Sequence, residues 1–383
     1  MAQAQHGAPP ASPARGEATT DGAIPARPAP RWQRIAPGRT ALALGGLALA
    51  LLVALALATL QGTVSIPPLT TLEITLRHLG AWWITPRWPV TDDLIIMQVR
   101  LPRALGAALV GAALGVAGAL FQGLLRNPLA DPLLLGTSSG AALGAVVGLV
   151  VTGALTVDWL GFSLEALLAF IGALLAVAVV YALATRGGRT PVVTLLLAGV
   201  AVGAMLTAAQ TLLITLATTL QQHFGALYFW FSGAIDVESW AQLAIVAALL
   251  ALGLLVALWL APTLDAFALG EEMAGHLGVP VERRKLLIVG VAALLVAASV
   301  TIGGLVGFVG LVAPHVCRLL LGPRSRPLVA ASALGGAVFV TLADLLARTV
   351  AAPTELPLGI VTALVGGPFF LWLLRYAGQR YRW

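Results

Sequence analysis

Residues 104–125, ALGAALVGAALGVAGALFQGLL, form a run of 22 residues without a charge, and this run constrains the possible folds more than any other stretch. At about 1.5 Å rise per residue a helix of that length reaches about 33 Å, enough to cross a hydrocarbon core of about 30 Å. Arg100 and Arg103 precede the run, Arg126 follows it, and Pro128 and Pro132 break what comes after. The pattern predicts a membrane-spanning helix with basic residues at both ends. One of those ends must lie on the face where loops seldom carry cations.

The rest of the chain agrees with a membrane setting. Of its 383 residues 59% are hydrophobic and 10% charged, too few charges to cover a soluble globule. The net charge of +6 comes from basic residues standing as ones and twos at the ends of apolar segments. That spacing is a topology signal and argues against nucleic-acid binding. Cys317 is the single cysteine and sits in an apolar run, so no intrachain disulfide and no cysteine metal site can form.

Residues 1–39 are Ala, Pro, Gly and polar residues without hydrophobic periodicity, and they predict a disordered cytoplasmic tail. Arg27, Arg31, Arg34 and Arg39 place that tail inside by the positive-inside rule. Apolar segments then predict ten spans, at about 40–60, 104–125, 137–153, 162–184, 191–213, 241–261, 286–302, 304–321, 327–347 and 357–374. The loop 61–99 carries Trp82, Trp83 and Trp88 and falls outside, as does 214–240 with His223, Asp236 and Glu238. Basic turns at 186–189, 283–285 and 318–326 fall inside, with 377–383 as a cytoplasmic C-terminal tail. The resulting fold class is an all-α integral membrane protein, a ten-helix domain over 40–376 with both termini cytoplasmic. Glycines at Gly111, Gly115 and Gly118, and at Gly303, Gly307 and Gly310, have the spacing that lets helix backbones approach closely.

Several chemistries are excluded. Lys285 is the only lysine and follows Arg284, so the chain has no G-x-x-x-x-G-K-[ST] phosphate loop. There is no H-E-x-x-H, and the histidines at 6, 78, 223, 276 and 315 are scattered. No catalytic residue and no metal site is predicted, and the chain reads as a transporter component and not an enzyme. Ion-coupled transporters place acids or histidines near mid-membrane. Here Asp344 is the one acid expected to be partly buried in a span, and Arg348 at i+4 predicts an ion pair for it. An external energy source is then the better reading.

Two features offer surfaces to partners. The internal segment 262–285 contains LGEEMAGHLGVP, in which Glu271 and Glu272 begin a short helix and Gly278 and Pro280 end it. Met273 and Leu277 share a face at i, i+4, which suits docking of a cytoplasmic partner. On the outer side Arg100 and Arg103, read as the N-terminus of the second span, join Arg348 as three cations facing an acidic partner.

The residues also resemble a known family. RLPR followed by GAALGVAGALFQGLLRNPLADPLLLGTSSGAALGA, then LLLAGVAVG, WFSGAIDVESW, LGEEMAGHLGVP, GGLVGFVGLVAPHVCRLL and LADLLARTVAAPTELPLGIVTALVGGPFF, are similar to the permeases of ABC importers for vitamin B12 and iron chelates (ferric siderophores and haem). The likeness spans about 40–376 in order. It implies the type II ABC importer permease fold in a bacterial cytoplasmic (inner) membrane, with two permease subunits, homodimeric or heterodimeric, around one pathway. Two ATPase subunits holding ATP and Mg would lie beneath, and a periplasmic or lipoprotein binding protein would dock above. Arg100, Arg103 and Arg348 match positions that meet carboxylates of the binding protein. Gly270, Glu271, Ala274, Leu277 and Gly278 match the segment that sits in the ATPase cleft. Asn127 and Leu129 fall where similar permeases narrow the pathway on the cytoplasmic side. Gly275 stands where many members carry a basic residue.

Overall fold

The computed structural model describes residues 37–62, 64–152, 158–159, 161–217 and 224–380. The predicted tail lies outside the described residues up to position 36, as do His6, Arg27, Arg31, Arg34, His223 and Arg382.

Helix α1 is Pro37–Leu60 and α2 is Pro68–His78. Helix α3, Val90–Leu94, widens into a π-helical turn at Ile95–Arg100 and continues as α4, Leu101–Leu124. A 3₁₀ turn at Pro132–Leu135 leads to α5, Thr137–Thr152. After a two-residue antiparallel hairpin come α6, Leu164–Ala184, α7, Val192–Leu216, α8, Phe224–Phe231, and α9, Trp240–Phe267. The short α10, Glu271–His276, precedes α11, Val281–Gly303, α12, Val309–Leu321, α13, Ser325–Thr349, and α14, Leu358–Arg380. Among the described residues eight helices are long and apolar enough to cross a membrane, α3 and α4 counting as one. Helices α5 and α12, the predicted third and eighth spans, are shorter apolar helices. The first four residues of the predicted 377–383 tail continue α14.

The start of the second span differs from expectation. The helix begins at Val90, ten residues before Arg100, behind an extended Pro89 and with Asp92 and Asp93 in its first turn, where acids favour the positive end of the helix dipole. Pro102 would clash with the carbonyl four residues back in a regular helix; the wide π-turn just before it relieves that contact. Arg100 therefore lies within a helix and not at its N-terminus.

Helix α4 is the axis of the bundle. In its most apolar window 89% of the residues are buried, against 11% in α1 and in α7. Its glycines and alanines let neighbouring backbones touch it. A Cβ on Gly111 would stand 2.1 Å from the Gly336 carbonyl of α13, and a Cβ on Gly336 would stand 2.1 Å from the Gly111 carbonyl. Gly115 faces the Ser332 carbonyl at 2.1 Å and Gly118 the Gly310 carbonyl of α12 at 1.9 Å. Gly307, expected to act in the same way, has open space around it. With so little side chain between backbones, dispersion contacts and not a hydrophobic gradient hold these helices together in lipid.

Gly111→Ala and Gly336→Ala are each expected to destabilise the bundle by about 1–3 kcal/mol. Because both open the same gap, the double variant should cost less than the sum. Unfolding in mixed micelles measures this, and additive costs would contradict a shared contact.

Candidate functional site

One end of the bundle is built on the free carbonyls at the end of α1. The last four carbonyls of any helix lack partners within it and carry partial negative charge. Two guanidinium groups fill that role. Arg348 of α13 donates from Nη1 to the Gln61 carbonyl at 3.0 Å and from Nη2 to the Ala58 carbonyl. Arg100 donates from Nη1 to the Leu60 carbonyl at 3.1 Å and from Nη2 to the Val64 carbonyl. Gly62 makes room for this, since a Cβ there would lie 2.7 Å from Arg100 Nε.

Asp344 sits behind these groups, its side chain 1% exposed. Its Oδ1 accepts from Arg103 Nε at 3.1 Å and Nη2 at 3.0 Å, and its Oδ2 lies 3.3 Å from Arg348 Nε. The i, i+4 pair expected from sequence is present, and Arg103 on α4 is a second partner that sequence reasoning missed. The glycine register accounts for it. Helices α4 and α13 run antiparallel, so moving eight residues outward from Gly111 reaches Arg103, and eight outward from Gly336 reaches Asp344. The third nitrogen of Arg103, Nη1, donates to Glu355 Oε2 at 2.9 Å.

The three predicted docking arginines thus come together, but they differ in availability. Arg100 is 4% and Arg348 5% exposed, both turned inward onto α1. Arg103 keeps 20% of its side chain exposed, and its partner Glu355 keeps 43%. A cavity of about 360 Å³ lined by Gln61, Ser65, Arg348, Thr349 and Ala352 opens beside them.

At the other end of α13, the Asp265 carboxylate of α9 accepts from the Ser325 N–H at 2.9 Å and its hydroxyl at 2.6 Å. Gly270 precedes the adjoining α10, with a φ of 110° that a side chain would strain. Met273 and Leu277 are exposed, whereas Ala274 is fully buried and seats the helix. Glu271 turns inward to Lys285, with Oε2 2.6 Å from Nζ. Lys285 also donates to Glu282 Oε1 at 3.1 Å and to the Thr190 carbonyl at 3.0 Å, while Glu282 Oε2 accepts from the Thr190 N–H at 2.9 Å. This buried lysine was legible in sequence only as part of a basic turn; the signal was its being the one lysine in the chain, three residues after Glu282.

Between α4 and α5, Arg126 takes a left-handed φ of 50° and reverses the chain. Asn127 Oδ1 then accepts from the Leu129 N–H at 2.9 Å, so the first residue of the NPL triplet shapes the turn while Leu129 is half-buried. Asp131 Oδ1 accepts from the Leu133 N–H at 2.9 Å. Burial pushes the Asp131 carboxyl above the ordinary carboxylate range, and that N–H opposes the rise.

A profile of the FecCD transport family matches residues 49–376. The chain belongs to the FecCD transport family. Among its FecCD relatives, the vitamin B12 import system permease protein of Vibrio cholerae is 39% identical, over 77% of this chain and 88% of that protein. The hemin transport system permease protein of Yersinia pestis is 40% identical, over 55% of this chain and 63% of that protein. The cobalamin import system permease protein of Halobacterium salinarum is 42% identical, over 54% of this chain and 55% of that protein. The matched stretch thus spans little more than half the length of some curated relatives. A solved structure described as an inward-facing conformation of a metal-chelate type ABC transporter superposes with a TM-score of 0.73 at 28% identity, covering 87% of this chain and 98% of that one. The described FecCD fold is accordingly a multi-pass membrane bundle.

In this FecCD bundle the two acidic partners of Arg103 should differ in weight. Asp344→Asn removes the charge partner of two arginines and is expected to cost about 3–5 kcal/mol. Glu355→Gln breaks an exposed pair and should cost at most about 1 kcal/mol. Unfolding titrations of both variants check this, and equal costs would contradict the difference in burial.

Proposed function

We propose that this chain is the permease subunit of an ATP-driven importer that carries an iron chelate, a ferric siderophore or haem, across the bacterial cytoplasmic membrane after receiving it from a substrate-binding protein. The observation that carries the proposal is one rigid helix with a different anchor at each end. Helix α13 holds Arg348 and Asp344 in the outer arginine cluster and Ser325 on Asp265 beside α10. From Ser325 to Arg348 is 23 residue steps, about 35 Å of helix.

In this reading the chain has ten spans with both termini in the cytoplasm, and two copies enclose one pathway. Arg103 receives a carboxylate of the binding protein, with Arg100 and Arg348 positioning the cluster through α1. The exposed Met273 and Leu277 enter the cleft of an ATPase subunit, which holds ATP and Mg; Gly270 and Gly278 shape the helix, and Ala274 and Glu271 fix it to the bundle. ATP-driven closure of two ATPase subunits moves the α10 segments, and the permease subunits rock so that the pathway opens on alternate sides. Asn127 and Leu129 line its narrow inner end. The chain forms no covalent intermediate and binds no cofactor of its own.

Relatives named for vitamin B12 import are as similar as those named for haem or iron, so cobalamin is the second reading for the cargo. Ion-coupled transport is a more remote one: the buried acid Asp344 is already held by two arginines.

Reconstituted with its ATPase subunit, the complex should hydrolyse ATP faster when the binding protein arrives loaded with haem or a ferric siderophore than with cobalamin. Arg103→Ala should raise the binding-protein concentration needed for half-stimulation about tenfold. Stimulation that is indifferent to Arg103, or transport that proceeds without ATP and collapses with an uncoupler, would overturn the proposal.

A further inference from the structure

The Arg103 guanidinium holds two carboxylates of very different mobility. Asp344 is buried on a helix and shared with Arg348, so it cannot leave without stranding two cations. Glu355 stands on the segment 350–357 between α13 and α14, with 43% of its side chain exposed, and touches Arg103 through one nitrogen at 2.9 Å. The backbone around it is pinned independently of that contact. The Leu356 N–H donates to the Ala347 carbonyl at 2.9 Å, the Leu358 N–H to Gly233 at 2.8 Å and the Gly359 N–H to Ser232 at 2.9 Å. The Glu355 side chain can therefore rotate away into solvent while the segment keeps its course.

We propose that Glu355 is an internal placeholder that occupies the docking position on Arg103 and is displaced by the carboxylate of an incoming protein partner. The inference rests on the reading that Arg103 docks a binding protein. It adds that docking is an exchange of one carboxylate for another. The chemistry favours this arrangement. The cluster contains three arginines against Asp344 and Glu355, with Asp92 acting on Arg100, so without Glu355 the undocked permease would expose an unbalanced cation at its outer surface. An exposed single-contact pair is also the kind that a partner can break at little cost. A second consequence is that the exchange leaves the course of the segment between α13 and α14 unchanged, since its backbone hydrogen bonds do not depend on Glu355.

The test measures the dissociation constant of the loaded binding protein for the complete permease–ATPase complex in nanodiscs. Glu355→Gln and Glu355→Ala should each bind about two- to fivefold tighter than the parent, the range expected from removing an exposed competing pair. Arg103→Ala should bind more weakly, and adding Glu355→Gln to Arg103→Ala should change nothing further. If Arg103→Ala weakens binding while both Glu355 variants leave it unchanged or weaken it, the placeholder is overturned and the docking reading stands. If Arg103→Ala has no effect, the docking reading fails and takes the placeholder with it. A tightening by Glu355→Gln that persists in the Arg103→Ala background would overturn the exchange, since the effect would not pass through Arg103.

Discussion

The backbone contact between α4 and α13 is the constraint on which the arginine cluster depends. Gly111 and Gly336 each leave room for the other's carbonyl, and no side chain larger than hydrogen fits there. That contact sets the register of two antiparallel helices, and eight residues further out the register delivers Arg103 to Asp344. A slip of one residue would turn the carboxylate about 100° around α13 and away from Arg103. The ion cluster in turn ties down α1, whose apolar window is otherwise only 11% buried. Burial of Arg100 and Arg348 is tolerable because their donors meet α1 carbonyls that would have been unsatisfied in lipid. Packing by small residues and pairing of buried charges are thus one arrangement here, with the first deciding the geometry of the second.

Much of the bundle was legible because lipid makes helix length and charge placement obligatory. The apolar runs, the break after Leu125 and the i, i+4 pair of Asp344 with Arg348 follow from local sequence. What was not legible depends on contacts distant in the chain. Nothing near Arg100 indicates that its acceptors are the Leu60 and Val64 carbonyls, 40 and 36 positions away. The helix start at Val90 was hidden because a π-turn has no strong sequence signal and because Pro102 resembles a helix beginning. At the other end of the bundle the amphipathic face of α10 was readable from Met273 and Leu277. The inward turn of Glu271 was not, because its partner Lys285 lies across a turn and is held also by Thr190.

These geometries divide the candidate residues by exposure. Arg103, Met273 and Leu277 keep side-chain surface open. Arg100, Arg348, Asp344, Ala274 and Lys285 hold those surfaces in place from within. The distinction matters for interpreting variants, since loss of a buried group in the second set disturbs the fold as well as the surface it supports. It also gives α13 a definite mechanical meaning: the helix that contacts α4 along its length ends at Asp265 on one side and at the arginine cluster on the other.

The register of α4 against α13 can be measured in the membrane by cysteine cross-linking. Ala107 and Val340 lie four residues outward from Gly111 and Gly336 and are both fully buried. In a chain carrying Cys317→Ser, Ala107→Cys with Val340→Cys should form a disulfide on mild oxidation, because the register brings these positions to within the reach of about 7 Å that the bond requires. Cross-linking of Ala107→Cys to a cysteine one turn away, at Ala343 or Ala337, with none at Val340, would contradict the register and with it the origin of the arginine cluster.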